Sequence, residues 1–475
     1  MCGVVGIYGR HDAVEAIYTS LLAIQHRGQD SAGIATLEEG FHLKKGNGLV
    51  LNVFNAKNMA RLKGSLGIGH VRYPTIGSLG TEDAQPFIVN TPFGIALAHN
   101  GNLVNFFELR EKLIKRYFRY LNSNCDAEVI LNLFARELSQ EPLGELTPGS
   151  IFNALDRIYD EMIGSYSVVA IIARVGMLAF RDPHGIKPLV LGRRDSSFAI
   201  ASESVVFDHL GYEFIGDVEP GEAVFINLNG ELVRKKIRVA APAPCIFEYV
   251  YFARPDSIID GIGVYEARLR LGRELAGAVR KAGIEPDVVF PVPDTARAAV
   301  TTLAEELGIK HREGLIKNRY IGRTFIMPTQ KKRKVSIRFK LNPIRSEIEG
   351  KKVLVVDDSI VRGNTASEII QLIRDAGASA VYYASYSPPL RYPCLYGIDM
   401  QTRGEFVARG KTVEEVERII GADRLIYQSI EGLIRGVGMG RNFCTGCFTG
   451  EYPTPIPPRM AEQIEAQRLK VKEEV

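Results

Sequence analysis

The chain has 475 residues, 46% hydrophobic and 24% charged, with a formal net charge of +4. That length exceeds what one core usually supports, so two domains are expected. The small net charge gives no general footing for nucleic acid, and no uncharged apolar run is long enough to span a bilayer. The N-terminus lacks the basic-then-apolar pattern of a secretory signal, so the expected compartment is the cytoplasm. In a reducing compartment, six cysteines point to catalysis, metal binding or burial rather than to a disulfide framework.

In chain order, Cys2 follows Met1 and opens the apolar run Gly3-Val4-Val5-Gly6-Ile7. Removal of Met1 would leave a thiol and a free α-amine on one residue. The thiolate is a nucleophile, and an α-amine titrates near ~8 rather than near ~10. One residue then supplies nucleophile and base, as in N-terminal-nucleophile hydrolases. Taken alone, an incidental cysteine beside the start is an equal reading.

Short strands are predicted at 4–8, 68–72, 95–99, 168–173 and 178–181, with helices at 107–119 and 127–138 between them. A strand–turn–strand follows at 222–239, turning at Asn229-Gly230. Ala241-Pro242-Ala243-Pro244 resists helix and central strand alike, so the domain boundary is placed there. In the second half, helices are predicted at 264–282, 297–307 and 365–376, and strands at 287–292, 352–356 and 380–386. That alternation implies βαβ units and a parallel sheet. The charged tail from 459 to 475 reads as a helix with a solvated face. The expected division is 2–240, 241–457 and a tail at 458–475.

Several polar segments could converge on Cys2: Gln25-His26-Arg27-Gly28-Gln29-Asp30-Ser31-Ala32-Gly33, Gly69-His70-Val71-Arg72-Tyr73, Ala98-His99-Asn100-Gly101-Asn102 and Ser123-Asn124-Cys125-Asp126. Attack on an amide makes an oxyanion, for which the Asn100 amide and the Gly101 N–H are suitable donors. Arg72 can clamp an α-carboxylate in bidentate fashion, and Asp126 can pair with an α-ammonium. For any one segment, a plain hairpin turn or surface charge is the simpler reading. A Cys–His dyad using His26, His70 or His99 is a rival mechanism. Cys125 reads as a small buried residue.

Together these segments resemble the class II glutamine amidotransferase family. The resemblance implies a four-layer αββα sandwich, with Cys2 as nucleophile and Asn100 and Gly101 as the oxyanion hole. It also implies that Arg72 and Asp126 bind glutamine, with Arg27 and Gly28 lining the pocket.

In the second half, Val353-Leu354-Val355-Val356-Asp357-Asp358-Ser359-Ile360-Val361-Arg362-Gly363-Asn364-Thr365 runs a β-branched strand into two acids and a small-residue loop. The loop and the following helix N-terminus form an anion site. Asp357 and Asp358 can hold ribose hydroxyls or Mg²⁺, which prefers oxygen ligands. The string resembles the phosphoribosyl pyrophosphate (PRPP) signature of type I phosphoribosyltransferases. That resemblance implies a mainly parallel sheet, α/β beside the α+β first domain, and one Mg²⁺ per subunit on Asp357 and Asp358. Ser359, Ile360, Val361, Arg362, Gly363, Asn364 and Thr365 would hold the 5-phosphate. Pro291-Val292-Pro293-Asp294-Thr295-Ala296-Arg297 suits the pyrophosphate. Many relatives carry a serine hydroxyl near Ala296, for which Thr295 or Arg297 could substitute as ligand to metal or pyrophosphate. The basic stretch 317–328, with Lys317 and Arg323, reads as a lid that excludes water.

The remaining cysteines are Cys245, Cys394, Cys444 and Cys447, the last two a C-x-x-C pair. Spacing leaves structural zinc, a [4Fe–4S] cluster or four unrelated thiols open. The surrounding strings resemble the cluster-bearing branch of the glutamine–PRPP amidotransferase family, which implies one structural [4Fe–4S] cluster per subunit. The two resemblances in this order imply glutamine and PRPP as substrates, ammonia passing between the sites, and entry into purine synthesis. They also imply a homotetramer or homodimer with neither nucleic-acid nor membrane partners. A PRPP-sensing regulator, or the same amidase joined to another acceptor domain, are the competing functions.

Overall fold

The computed structural model describes residues 1–73, 80–142, 146–318, 340–398, 400, 402–438 and 442–473. In the first half two antiparallel sheets stack face to face. One runs, in spatial order, Glu213–Asp217, Val190–Arg194, Ser197–Ala201, Gly3–Tyr8, Leu66–Arg72, Ser31–Leu37 and Phe41–Asn47. The other runs Leu232–Lys236, Glu222–Asn227, Gly176–Arg181, Gly164–Ile172, Ile95–Leu103 and Phe87–Val89.

The two-residue period of a strand decides the layering. Val5 and Ile7 pack outward with Ile17 and Leu21 of the helix Ala13–Ala23. Val4 and Tyr8 point inward against Ala96, Ala98, Val169 and Ile171 of the other sheet. On the far side Ile95, Leu97, Val168 and Ala170 meet the helices Asp126–Leu138 and Pro148–Tyr159. The result is helix, sheet, sheet, helix, the expected αββα order.

The second half contains a five-stranded parallel sheet ordered Lys310–His311, Val288–Pro291, Lys352–Asp357, Ala380–Ser385 and Arg424–Tyr427. Both of its faces are covered, as a parallel sheet requires. Leu354 and Val356 pack against Leu271 and Ala299 of the helices Val264–Ala282 and Arg297–Leu307. Val353 and Val355 pack against Ile369, Ile373 and Val416 of Asn364–Asp375 and Val413–Ile420.

The halves share a core. Met1, Val104 and Ile186 from the first cluster with Cys245, Tyr249, Leu395 and Tyr396 from the second. The tail is a helix with an exposed face, as expected, Pro458–Glu473. Its other face is docked: Ile464 is 1% exposed and Arg468 is buried, donating to the carbonyls of Cys394 (2.8 Å) and Met400 (3.2 Å).

Candidate functional sites at Cys2 and in the Asp357–Asp358 cavity

Cys2 sits just before Gly3–Tyr8, the central strand of the first sheet, and is buried. Its N–H donates to Asn100 Oδ1 (3.2 Å), and its thiol faces the Tyr73 carbonyl at 3.6 Å. Asn100 lies in the strand Ile95–Leu103 of the other sheet, so the sheet stacking brings the two together. The buried Asn100 Nδ2 has no hydrogen-bond partner. A buried donor left unpaired costs roughly 1–3 kcal/mol, and an oxyanion beside Cys2 would satisfy it. Gly101 is adjacent. A Cβ there would lie 2.1 Å from the Ser165 carbonyl oxygen, so the close pairing with the neighbouring strand requires glycine.

Asp126 begins the helix Asp126–Leu138 and accepts from the Leu103 N–H (3.0 Å), with His99 Nε2 3.2 Å away. Arg72 ends the strand Leu66–Arg72, is 3% exposed, and lies 3.8 Å from Asp83. Gly28 is packed on backbone: a Cβ would sit 2.4 Å from the Val71 carbonyl carbon.

Arg27 differs from the expected pocket-lining residue. It is fully buried and its guanidinium is committed elsewhere. Nε donates to the Cys2 carbonyl (3.0 Å), Nη1 to Glu203 (2.5 Å) and Nη2 to Glu248 (2.8 Å). Glu203 also accepts from His26 (2.7 Å), the Arg254 N–H (2.9 Å) and the Ser257 hydroxyl (2.8 Å). Burial alone would raise the Glu203 carboxyl, but His26 and Arg27 outweigh it and hold it well below the usual carboxylate range. Arg27 therefore props the Cys2 backbone against both halves of the chain. Glu203 and Glu248 were invisible as site residues in the sequence, since each is a lone acid without a motif.

The dyad reading finds no geometry. His26 is on Glu203, His70 donates to the His99 carbonyl (3.1 Å), and His99 faces Asp126; none bonds Cys2. Burial pushes His70 and His99 below the ordinary imidazole value, so both stay neutral. Burial likewise pushes the Cys125 thiol up and leaves it inert.

The second site is a cavity of about 520 Å³. Asp294, Thr295, Lys317, Asp357, Asp358, Ser359, Ile360, Val361, Arg362, Gly363 and Thr365 line it, as the sequence motifs require. Arg297 and Asn364 do not. Arg297 pairs with Glu313 (3.1 Å) and lies 3.7 Å from Asp294, and Asn364 begins the helix Asn364–Asp375 on its exposed side. Arg323 and most of the expected lid lie outside the described residues. Lys317 donates to Asp294 (2.9 Å).

Asp357 accepts from Tyr383 (2.6 Å), and Asp358 from Ser359 (2.6 Å) and from Thr295. Burial raises both carboxyls, Asp357 to about 6, and Asp358, which also feels Asp357, to about 8. Two adjacent acids on oxygen donors, Asp358 buried and Asp357 partly so, with no basic side chain bonded to either among the described residues, suit a hard cation. The cavity also takes His26 and Tyr73 from the first half and Phe247, Tyr251, Phe252, Ile398 and Met400 from the second. His26 and Tyr73 were named in the sequence but for the Cys2 site; the five from the second half were missed, because apolar residues far apart in sequence carry no local signal of a shared cavity.

Cys245, Cys394, Cys444 and Cys447 are all buried with free thiols. Cys245 and Cys444 pair through backbone, the Cys444 N–H donating to the Pro244 carbonyl (2.9 Å). Burial pushes the Cys245 thiol up to about 11 and those of Cys444 and Cys447 higher. Cys447 also feels Cys245, Cys394 and Cys444, so the four converge. Among the described residues, no three His, Cys, Asp or Glu side chains gather tightly enough for a single ion.

Fold and sites define a glutamine amidotransferase joined to a phosphoribosyltransferase. Residues 71–209 match the glutamine amidotransferase domain family and 262–386 the phosphoribosyl transferase domain family. The amidophosphoribosyltransferase of Pseudomonas aeruginosa is 50% identical, covering 96% of this chain and 93% of its own. That of Archaeoglobus fulgidus is 47% identical, covering 97% and 100%. A solved glutamine PRPP amidotransferase from B. subtilis, complexed with ADP and GMP, superposes with a TM-score of 0.86 at 40% identity, covering 96% of this chain and 98% of that one. The chain belongs to the amidophosphoribosyltransferase family.

Proposed function

We propose that the chain hydrolyses glutamine at Cys2 and uses the ammonia to displace pyrophosphate from PRPP. The products are 5-phosphoribosylamine, glutamate and pyrophosphate, the first step of purine synthesis. The observation that carries this reading is one cavity lined both by the PRPP loop and by His26 and Tyr73, Tyr73 lying next to Cys2. Once Met1 is removed, the α-amine of Cys2 takes the thiol proton as Sγ attacks the glutamine amide carbon. It returns that proton to the departing ammonia, and water then releases glutamate. Asn100 Nδ2 and the Gly101 N–H stabilise the oxyanion, while Arg72 and Asp126 hold the substrate's carboxylate and ammonium. Ammonia attacks C1 of PRPP as the C1–O bond to pyrophosphate breaks. Enclosure keeps the ammonia concentrated, as in any intramolecular reaction.

The division into 2–240, 241–457 and 458–475 belongs to this reading, as does a cytoplasmic homodimer or homotetramer. Asp357 and Asp358, with Thr295 nearby, would hold one Mg²⁺, which when bound neutralises pyrophosphate charge. The test is pyrophosphate release from PRPP with glutamine or with ammonia. Asp358→Asn is expected to cut release at least about 100-fold with either donor; unchanged release would remove the second site.

Cys245, Cys394, Cys444 and Cys447 would hold a structural [4Fe–4S] cluster. What supports one shared group is that Cys245, Cys394 and Cys444 all act electrostatically on the buried Cys447 thiol; four-cysteine sets hold structural zinc as well as iron–sulfur clusters, and the family resemblance favours the cluster. Anaerobically purified protein is expected to be brown with acid-labile sulfide. A colourless protein with stoichiometric zinc would overturn the cluster.

A further inference from the structure

Segment 394–398 touches three functional regions at once. Cys394 belongs to the thiol tetrad, and Ile398 lines the acceptor cavity. Between them the backbone clamps the oxyanion strand. Asn102 Nδ2 donates to the Leu395 carbonyl (2.9 Å), and the Ser165 hydroxyl to the Tyr396 carbonyl (2.9 Å). Gly397 closes on Gly101 itself: a Cβ at 397 would lie 2.6 Å from the Gly101 carbonyl oxygen and 2.9 Å from its carbonyl carbon. Its φ of +96° is a conformation that side chains rarely adopt. The segment is gripped from behind by the docked tail, through Arg468 on the Cys394 and Met400 carbonyls.

We infer that segment 394–398 is a positioning strap for the oxyanion hole, with Gly397 setting the place of Gly101 and Arg468 holding the strap down. The inference rests on the glutaminase reading of Cys2. It gives the tetrad and the C-terminal helix a part in glutamine chemistry, although neither contains a reacting group. None of Gly397, Arg468 or Ser165 touches the groups assigned to glutamine, Arg72 and Asp126. Moving the strap should therefore alter transition-state stabilisation more than substrate binding. Displacing a donor by about an ångström costs on the order of 10²-fold in rate.

The experiment is steady-state glutamine hydrolysis by the processed full chain and its Gly397→Ala, Arg468→Met and Ser165→Ala variants. Gly397→Ala is expected to lower kcat about 100-fold and to change the KM for glutamine less than about threefold. Arg468→Met and Ser165→Ala, which force no backbone apart, are expected to lower kcat about 5- to 20-fold with the same KM pattern. If Gly397→Ala does not fold, these two decide the matter. A loss expressed in KM, or a kcat within about twofold of the parent in both, overturns the strap. A parent chain that hydrolyses no glutamine removes the functional reading, and the strap with it; an active parent with unaffected variants removes the strap alone.

Discussion

Cys2→Ala abolishes glutamine-dependent formation of phosphoribosylamine and leaves ammonia-dependent formation within about twofold of the parent. The expected loss is on the order of 10⁵-fold or more, the scale at which removal of a covalent nucleophile silences other hydrolases. No other group can take over. Cys125 is buried with its thiol pushed up, and the nearby histidines are committed to Glu203, Asp126 and backbone. The acceptor cavity meanwhile keeps its whole lining, since Cys2 is not part of it. The measurement is pyrophosphate release with each nitrogen source. Loss with both would mean that the sites are not separable, and retention with glutamine would remove Cys2 as nucleophile. A condition attaches to the parent. With Met1 in place, the Cys2 nitrogen is an amide donating to Asn100 and cannot serve as a base, while Met1 itself fills the shared core at 1% exposure. Intact-mass spectrometry of active protein is expected to find Met1 missing; full activity with Met1 retained would exclude the amine mechanism.

Arg27→Met is expected to destabilise the fold by about 3–5 kcal/mol, the cost of leaving buried charge unpaired. Glu203 and Glu248 are both inaccessible, and Arg27 is the guanidinium between them. The effect has a pH signature. In the parent, the Glu203 carboxyl is depressed on folding. Its contribution is therefore present above the unfolded value of about 4.3 and is lost only in strong acid. In the variant Glu203 keeps His26 but loses Arg27, so burial is less fully offset and its carboxyl rises from the parent's value. Its charged form then opposes folding more than in the parent, and that added penalty is relieved as pH falls through the raised value. The gap between parent and variant should be widest near pH 8 and narrower near pH 5.5, read from urea midpoints. A gap below about 1 kcal/mol at both pH values would show that the network is not a structural anchor.

How much of this was legible depends on how local each signal is. The strand Lys352–Asp357 was readable because β-branched residues run into paired acids, and the helix Val264–Ala282 because its apolar period is long and regular. The strand Phe41–Asn47 was not, since it is an edge strand with one hydrogen-bonded neighbour and its pattern is diluted by His42, Lys44 and Lys45. Ser31–Leu37 was partly hidden inside a stretch that read as a polar, glycine-rich loop. Gly33 sits in that strand because a Cβ there would lie 2.1 Å from the Gln85 carbonyl oxygen, a contact with no local trace.

The kind of chemistry was set by residue types in order along the chain: an N-proximal thiol, an Asn-Gly pair, paired acids before a small-residue loop, four further cysteines. Such groups react through short reach and local backbone, so the linear string already confines them. Which charged side chains are spent on architecture was decided only by folding. Arg27 and Arg72 look alike in sequence, yet Arg27 meets a carboxylate 221 positions away, and Arg468 closes on a carbonyl 74 positions away. A long side chain takes its partner from whatever packing places beside it, and that choice is made by the whole core at once.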